Sequence, residues 1–222
     1  MRTYSQYCSL AKALDLLGDR WTLLIVRELY LRGPCRYTDL RGGLPGIATN
    51  LLADRLRELE AAGVVAREEA APPIATALFS LTPRGEELKE PLFALGRWGI
   101  PLMADGPAAG DTFRNVWMTM PTELFLRDRT PEGPPVTIEL HTGEEPMLIE
   151  TVDGEVRARP GSIDQPDAML TGTPHLILAV ISGGLGLAEA EARGLRLEGS
   201  RESVMRLLPA DDGGPVGAAA TA

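Results

Sequence analysis

The chain is poor in the residues from which most reactive sites are built. It holds two cysteines and two histidines in 222 residues. Cys8 and Cys35 cannot form a disulfide framework. His141 and His175 lie far apart in sequence, with no Cys or Asp partner at metal-ligand spacing, so no metal is expected. No Gly-x-Ser-x-Gly, no phosphate-binding loop and no dinucleotide fingerprint occurs, so neither catalysis nor a bound cofactor is expected. Gly183-Gly184-Leu185-Gly186 follows a helical pattern and reads as a stop, and Glu144-Glu145 as a solvated pair in a hairpin turn. No apolar run approaches the roughly 18–20 residues that a bilayer span requires, and no membrane partner is expected. The first twenty residues contain Asp15 and Asp19 and no uninterrupted apolar stretch. A signal peptide is therefore not expected, and a cytoplasmic location is. Positive charge is also scarce: 22 Lys+Arg stand against 31 Asp+Glu, a formal net charge of −9. Taken over the whole chain, that balance opposes binding to a polyanion. A hydrophobic fraction of 44% and a charged fraction of 24% belong to a globular protein and exclude wholesale disorder.

The acidity is unevenly placed. Residues 1–103 carry 13 Lys+Arg and 12 Asp+Glu, a net of +1, whereas residues 104–222 carry 9 and 19, a net of −10. Residues 104–111, rich in Gly, Ala and Pro, have linker composition. The reading is a near-neutral domain over 1–103, a linker over 104–111, an acidic domain over 112–208 and a disordered tail over 209–222.

The first domain reads as mostly helical. Leu10, Ala13, Leu14 and Leu17 have helical spacing, and a second helix runs from Trp21 until Gly33-Pro34. A short helix over 37–41 precedes the turn Gly42-Gly43-Leu44-Pro45-Gly46, and a longer helix spans 49–62. Strands over 64–67 and 77–81 flank a turn at 70–73. Thr82-Pro83 then opens a single helix reaching Trp98. Helix, turn, helix, hairpin, helix is the order of a winged helix-turn-helix, whose second helix enters a major groove. At about 100° per residue, Leu52, Leu56 and Leu59 fall within roughly 60° of one another as a buried stripe. Asn50, Ala53, Asp54 and Arg57 then lie on the other side, with Thr49 at the N-terminal edge. Asn pairs with adenine, Arg with guanine, and Asp accepts from cytosine N4. Arg36 and Arg41 suit phosphates, and Arg67 and Thr76 would reach backbone or minor groove from the hairpin. The same helix face also suits plain surface ion pairs, Asp54 with Arg57 and Arg55 with Glu58.

Residues 8–98 resemble the HxlR-type winged-helix transcriptional regulators, relatives of the MarR group. The resemblance is carried by Cys8, by the run Ala13-Leu14-Asp15-Leu16-Leu17-Gly18-Asp19-Arg20-Trp21-Thr22-Leu23-Leu24-Ile25, and by Arg36-Tyr37-Thr38-Asp39-Leu40. Pro45-Gly46-Ile47, Leu51-Leu52, Arg55-Leu56-Arg57-Glu58-Leu59-Glu60, Ala62-Gly63-Val64-Val65, Leu81-Thr82-Pro83-Arg84-Gly85 and Trp98-Gly99 continue it. It implies a homodimer whose terminal helices pair two reading heads over a pseudo-palindromic operator in double-stranded DNA. Ala48 departs from the pattern, which usually has a hydroxyl residue there; Thr49 would cap instead. The resemblance also implies a redox or electrophile sensor at Cys8, with Lys12 the nearest cation. The composition alone offers a small apolar residue buried at a dimer helix. Cys35, in a Gly-Pro-Cys-Arg turn, reads as incidental.

The second domain reads as α+β. Strands are expected at 136–141, 147–152, 155–159, 167–172 and 194–198, with a turn at Asp153-Gly154 and helices at 174–182 and 201–208. The helix at 174–182 is apolar nearly all round. It is either covered on both sides or lines an apolar cavity. Leu140, Leu148, Met169, Leu176, Ile177, Val180 and Ile181 are the pocket candidates, each also explicable as core. Met169-Leu170-Thr171-Gly172-Thr173-Pro174 and Leu195-Arg196-Leu197-Glu198-Gly199-Ser200 resemble sterol-carrier-protein-type domains over 112–208, which implies a hydrophobic ligand.

The expected protein is a ligand-responsive, dimeric DNA-binding regulator, a repressor in the favoured sense, reading its operator through helix 49–62. The alternative is a carrier of hydrophobic small molecules whose winged helix serves dimerisation or protein contact. Resolved by domain, the net charge becomes an expectation of orientation, with the near-neutral heads on the duplex and the acidic domains away from it.

Overall fold

The structure, a computed structural model, describes residues 3–70 and 76–209. Most of the turn expected at 70–73 and nearly all of the expected tail at 209–222 lie outside the described residues. The chain forms two compact units that divide at Leu92/Phe93. That point lies upstream of residue 103, where the composition shifts. The change of packing partners comes inside a helix and leaves no mark in composition.

The first unit contains α1 (Ser9–Leu17), α2 (Thr22–Arg32), β1 (Cys35–Arg36), α3 (Tyr37–Gly43), α4 (Thr49–Ala61), β2 (Val65–Glu69), β3 (Ala77–Leu81) and α5 (Pro83–Glu86), and α6 (Lys89–Gly99) begins in it. Its sheet has the order β1-β3-β2, all antiparallel. The hairpin expected from sequence is therefore three-stranded. Cys35, paired with Phe79, is buried in a strand rather than incidental in a turn. Two residues are too few to show alternation. The single helix expected from Thr82 to Trp98 is two helices, α5 and α6. Pro91 explains the break: inside a continuous helix it would delete a hydrogen bond and clash with the carbonyl four residues back. Restarting at Lys89 places Pro91 in a first turn, where no donor is needed.

One charge lies in the core of this unit. Glu28, on the same helix as buried Ile25, Val26 and Leu29, is itself fully buried. Its Oε1 accepts from Arg27 Nη2 at 2.7 Å and its Oε2 from Arg32 Nε at 3.0 Å. The carboxylate packs against Gly43 at the end of α3, where an added Cβ would lie 2.0 Å from Oε2. Glycine there lets the end of α3 approach α2.

The second unit has 3-10 turns at Ile100–Met103 and Asn115–Met118, then α7 (Thr119–Phe125), β4 (Thr137–His141), β5 (Met147–Val152), β6 (Glu155–Pro160), β7 (Ala168–Thr171), α8 (Pro174–Ile181), α9 (Leu187–Ala192), β8 (Arg196–Gly199) and α10 (Arg201–Leu207). The sheet order is β6-β5-β4-β7-β8, antiparallel except for β4 with β7. Ile138, Leu140, Met147, Ile149 and Leu170 face one core with Ile177, Val180, Leu187, Val204 and Leu207 from the helices. Asp153 and Gly154, at φ 52° and 79°, make the tight β5–β6 turn. Glu144 is not merely solvated: it accepts from Asn115 N at 3.1 Å. Arg206 on α10 donates from Nε to Asp128 Oδ1 at 2.7 Å and from Nη2 to Asp128 Oδ2 at 2.8 Å. Those bonds hold the Asp128 carboxyl below its ordinary range. Among the described residues, no helix is long and apolar enough to cross a membrane.

Replacing Glu28 by Ala leaves Arg27 and Arg32 without their buried carboxylate and Gly43 beside a void. Loss of one partner of a buried ion pair costs about 3–5 kcal/mol. The urea midpoint of the first unit should fall accordingly, read by far-UV circular dichroism, while the second unit's transition stays in place.

Candidate nucleic-acid interface

The interface is built from α3, the turn that follows it and α4. Leu52, Leu56 and Leu59 are buried, which turns Thr49, Asn50, Asp54 and Arg57 fully outward and leaves Ala53 half-buried between them. Gly46 supplies a positive φ of 86° in the turn. Ala48, extended at φ −71° and ψ 140°, occupies the cap position and makes no side-chain cap. Thr49 is thus the first helical residue and does not replace the missing cap. A different contact holds the helix start: Tyr37 Oη donates to the Thr49 carbonyl at 2.6 Å. That bond ties the start of α3 to the start of α4 and sets the angle at which α4 is presented. Hydrophobic pattern does not reveal it, because it depends on the closed turn.

The cations on this surface are mostly balanced by carboxylates. Arg57 is hydrogen-bonded to Asp54, one turn earlier on α4. Arg55 pairs with Glu58 and also with Asp19 in the turn before α2, so it braces α4 from the side. Both surface pairs foreseen on the helix are therefore present. On β2, Arg67 donates to Glu69 at 2.9 Å. Arg36 and Arg41 are exposed and have no ion pair among the described residues. Arg36 sits where β1 runs into α3, and its backbone N donates to Asp39 Oδ2 at 3.0 Å. Thr76, half-buried, closes the inner end of the hairpin tip, its carbonyl accepting from Ala70 N at 2.9 Å.

Both units leave apolar side chains uncovered. On α1 only Ala11 is buried, and Leu10 and Leu14 are exposed along one side. On and after α6, Leu95, Trp98 and Leu102 follow helical spacing; Trp98 is 72% and Leu102 75% exposed. Cys8 lies exposed immediately before α1. Lys12, the nearest cation in sequence, reaches Asp15 at 3.5 Å.

The pocket candidates of the second unit do not share one face. Leu140, Ile177, Val180 and Ile181 belong to the core under the helices. Leu148 and Met169 pair directly with Glu139, so all three lie on the opposite face of the sheet. There Glu139 is buried, accepting from Ile163 N at 2.8 Å, with His141 Nε2 at 2.7 Å. Leu176 is half-buried outside the core cluster, so α8 is not covered all round.

The HxlR-like helix-turn-helix family matches this chain over residues 16–105. An uncharacterised HTH-type transcriptional regulator of Bacillus subtilis, YvaP, is 37% identical over 87 residues, which span 39% of this chain and 80% of that protein. One from Synechocystis is 37% identical over 95 residues, 41% of this chain and 67% of the relative. A longer match, to an uncharacterised HTH-type transcriptional regulator of Mycobacterium tuberculosis, is 33% identical over 150 residues, 66% of this chain and 78% of that protein. A match of that length runs past residue 105 into the second unit. Among solved structures, a putative MarR-family transcriptional regulator from Porphyromonas gingivalis is 26% identical, with a TM-score of 0.40, covering 45% of this chain and 97% of that one.

The two thiols differ in environment. Burial in β1 pushes Cys35 up from 9.0 to about 11. The folded state thus favours the protonated thiol, and this contribution to stability holds below the unfolded value of 9.0 and is lost as pH rises toward 11. Iodoacetamide at about pH 8 should label Cys8 and spare Cys35 until the protein is unfolded in urea. Intact-mass spectrometry reads the result as one adduct native and two denatured.

Proposed function

The chain belongs to the HxlR-like helix-turn-helix family of transcriptional regulators, and from that premise we propose that it is a dimeric, ligand-responsive regulator that represses by occupying a pseudo-palindromic operator. The observation that carries this reading is the outward face of α4. Asn50, Asp54 and Arg57 project from a helix whose opposite stripe is locked into the core, and these are groups that match base edges in a major groove. Arg36 and Arg41, whose exposed side chains make no ion pair among the described residues, suit flanking phosphates. Arg67 reaches the backbone or the minor groove from the wing once it exchanges Glu69 for phosphate.

Dimerisation is supported by the uncovered apolar side chains. Leu10 and Leu14 on α1, and Leu95, Trp98 and Leu102 on and after α6, are the kind of surface a second copy buries. The second unit is proposed as a sterol-carrier-like sensor of a hydrophobic effector. A sheet with all its core helices on one face supports that part. The chemistry is binding rather than catalysis, and the site of action is the cytoplasm.

A gel shift of the DNA upstream of the protein's own gene, run at low salt, tests the reading. Asn50→Ala with Arg57→Ala should lose about 1–3 kcal/mol per base contact on the operator, with the melting temperature little changed. Arg41→Ala should weaken all sequences alike and lower the salt slope by about one. Unchanged operator affinity in the double variant would favour a carrier whose winged helix serves assembly.

A further inference from the structure

Arg20 lies exposed in the turn before α2, and its neighbours on both sides reach the reading head. Asp19 pairs with Arg55 on the flank of α4. Trp21 reaches the turn between α3 and α4. A Cβ built on Gly46 would lie 3.9 Å from Trp21 Cη2, an ordinary contact distance. Gly46 stands just before α4, which begins at Thr49. The turn that carries these residues is itself closed, with Thr22 N donating to the Asp19 carbonyl at 3.2 Å. Arg20 is thus fixed between a residue that touches α4 and a residue that touches the turn leading into it.

The side chain of Arg20 is held differently from most arginines of this surface. Arg55, Arg57 and Arg67 give donors to carboxylates. Arg20 makes no ion pair among the described residues, and its guanidinium lies over the Trp21 ring, 5.8 Å from the centroid. An exposed contact of this kind contributes about 0.5–1 kcal/mol. A ring face offers no oxygen, so it restrains the cation without engaging the N–H donors on an acceptor. A phosphate that binds Arg57 must displace a carboxylate; one that binds Arg20 displaces only water. The carboxylate nearest in sequence, Asp19, is already taken by Arg55.

We propose that Arg20, held by Trp21 beside the turn that leads into α4, binds a phosphate of the DNA backbone on the flank of that helix. A helix lying in a major groove has a phosphate backbone along each side. Arg20 comes from the start of α2 and not from the outward face of α4, so it meets backbone and not base edges. Its guanidinium donates to a phosphodiester oxygen while the indole keeps the cation in place. The contact adds affinity for duplex of any sequence and discriminates none. The inference rests on the proposed reading of DNA by α4.

The test titrates the full chain with the duplex upstream of its own gene and with a random duplex of equal length, over a range of salt. Arg20→Ala should melt as wild type does. It should bind both duplexes about tenfold more weakly per protomer at low salt, the loss of one hydrogen bond to a charged group. The slope of log K against log salt should fall by about one per protomer. Arg20→Lys keeps the charge without the planar fork, and should recover the slope but only part of the affinity. Methylphosphonate linkages that neutralise one phosphate at a time should reveal a position that weakens wild type and leaves Arg20→Ala unaffected. Equal binding by wild type and Arg20→Ala, a loss confined to the upstream duplex, or the absence of any such phosphate would each overturn the proposal. Arg20→Lys equal to wild type throughout would overturn the part given to Trp21. Failure of wild type to bind either duplex at low salt would sink the regulator reading and this contact with it, whereas unchanged binding by Arg20→Ala sinks this contact alone.

Discussion

The leucine stripe of α4 is the constraint on which the rest of the interface depends. Leu52, Leu56 and Leu59 can be buried together in only one rotational setting of the helix. That setting decides which residues face outward. Rotation about the helix axis would bring charged Arg57 or Asp54 toward the core, at a cost far greater than a surface contact repays. The remaining freedom is the tilt of the helix and the position of its first turn. The bond from Tyr37 to the Thr49 carbonyl restricts both, and Arg55 with Asp19 restrains the flank. Without a side-chain cap at Ala48, the helix start relies on α3 for its definition. Glu28 extends the dependence inward: its carboxylate packs against Gly43 at the end of α3, so the buried ion pair of α2 adjoins the start of the turn.

The charge pattern of that surface bears on selectivity more than on affinity. Exposed ion pairs such as Asp54–Arg57 contribute little to stability because water and salt screen them. Their effect lies in competition. An arginine already held by a carboxylate gains less from an arbitrary phosphate, and Asp54 itself repels the backbone. A base edge that accepts from Arg57 and donates to Asp54 satisfies both members together. Near-neutral charge in general weakens the sequence-independent attraction of a surface to a polyanion. The net charge of −9 is a sum over the whole chain and does not describe this face.

What was legible in the sequence follows from period and length. The helices α1, α2 and α4 and the strands β4, β5 and β6 show enough repeats for their pattern to register, and they lie where the residues indicate. The same holds for the outward set Asn50, Asp54 and Arg57. The missed elements are β1 of two residues, α9 of six and α7 of seven; neither α7 nor α9 has the side-chain cap that Ser200 gives the equally short α10. The break before α6 was written in Pro91, but its meaning depends on where the helix restarts. The pocket candidates show a different limit. Apolarity selected Leu140 and Leu148 alike, although strand register separates them. Leu140 pairs with Met147 and Leu148 with Glu139, and adjacent positions along a strand point to opposite faces. No property of single residues distinguishes them before the pairing is known.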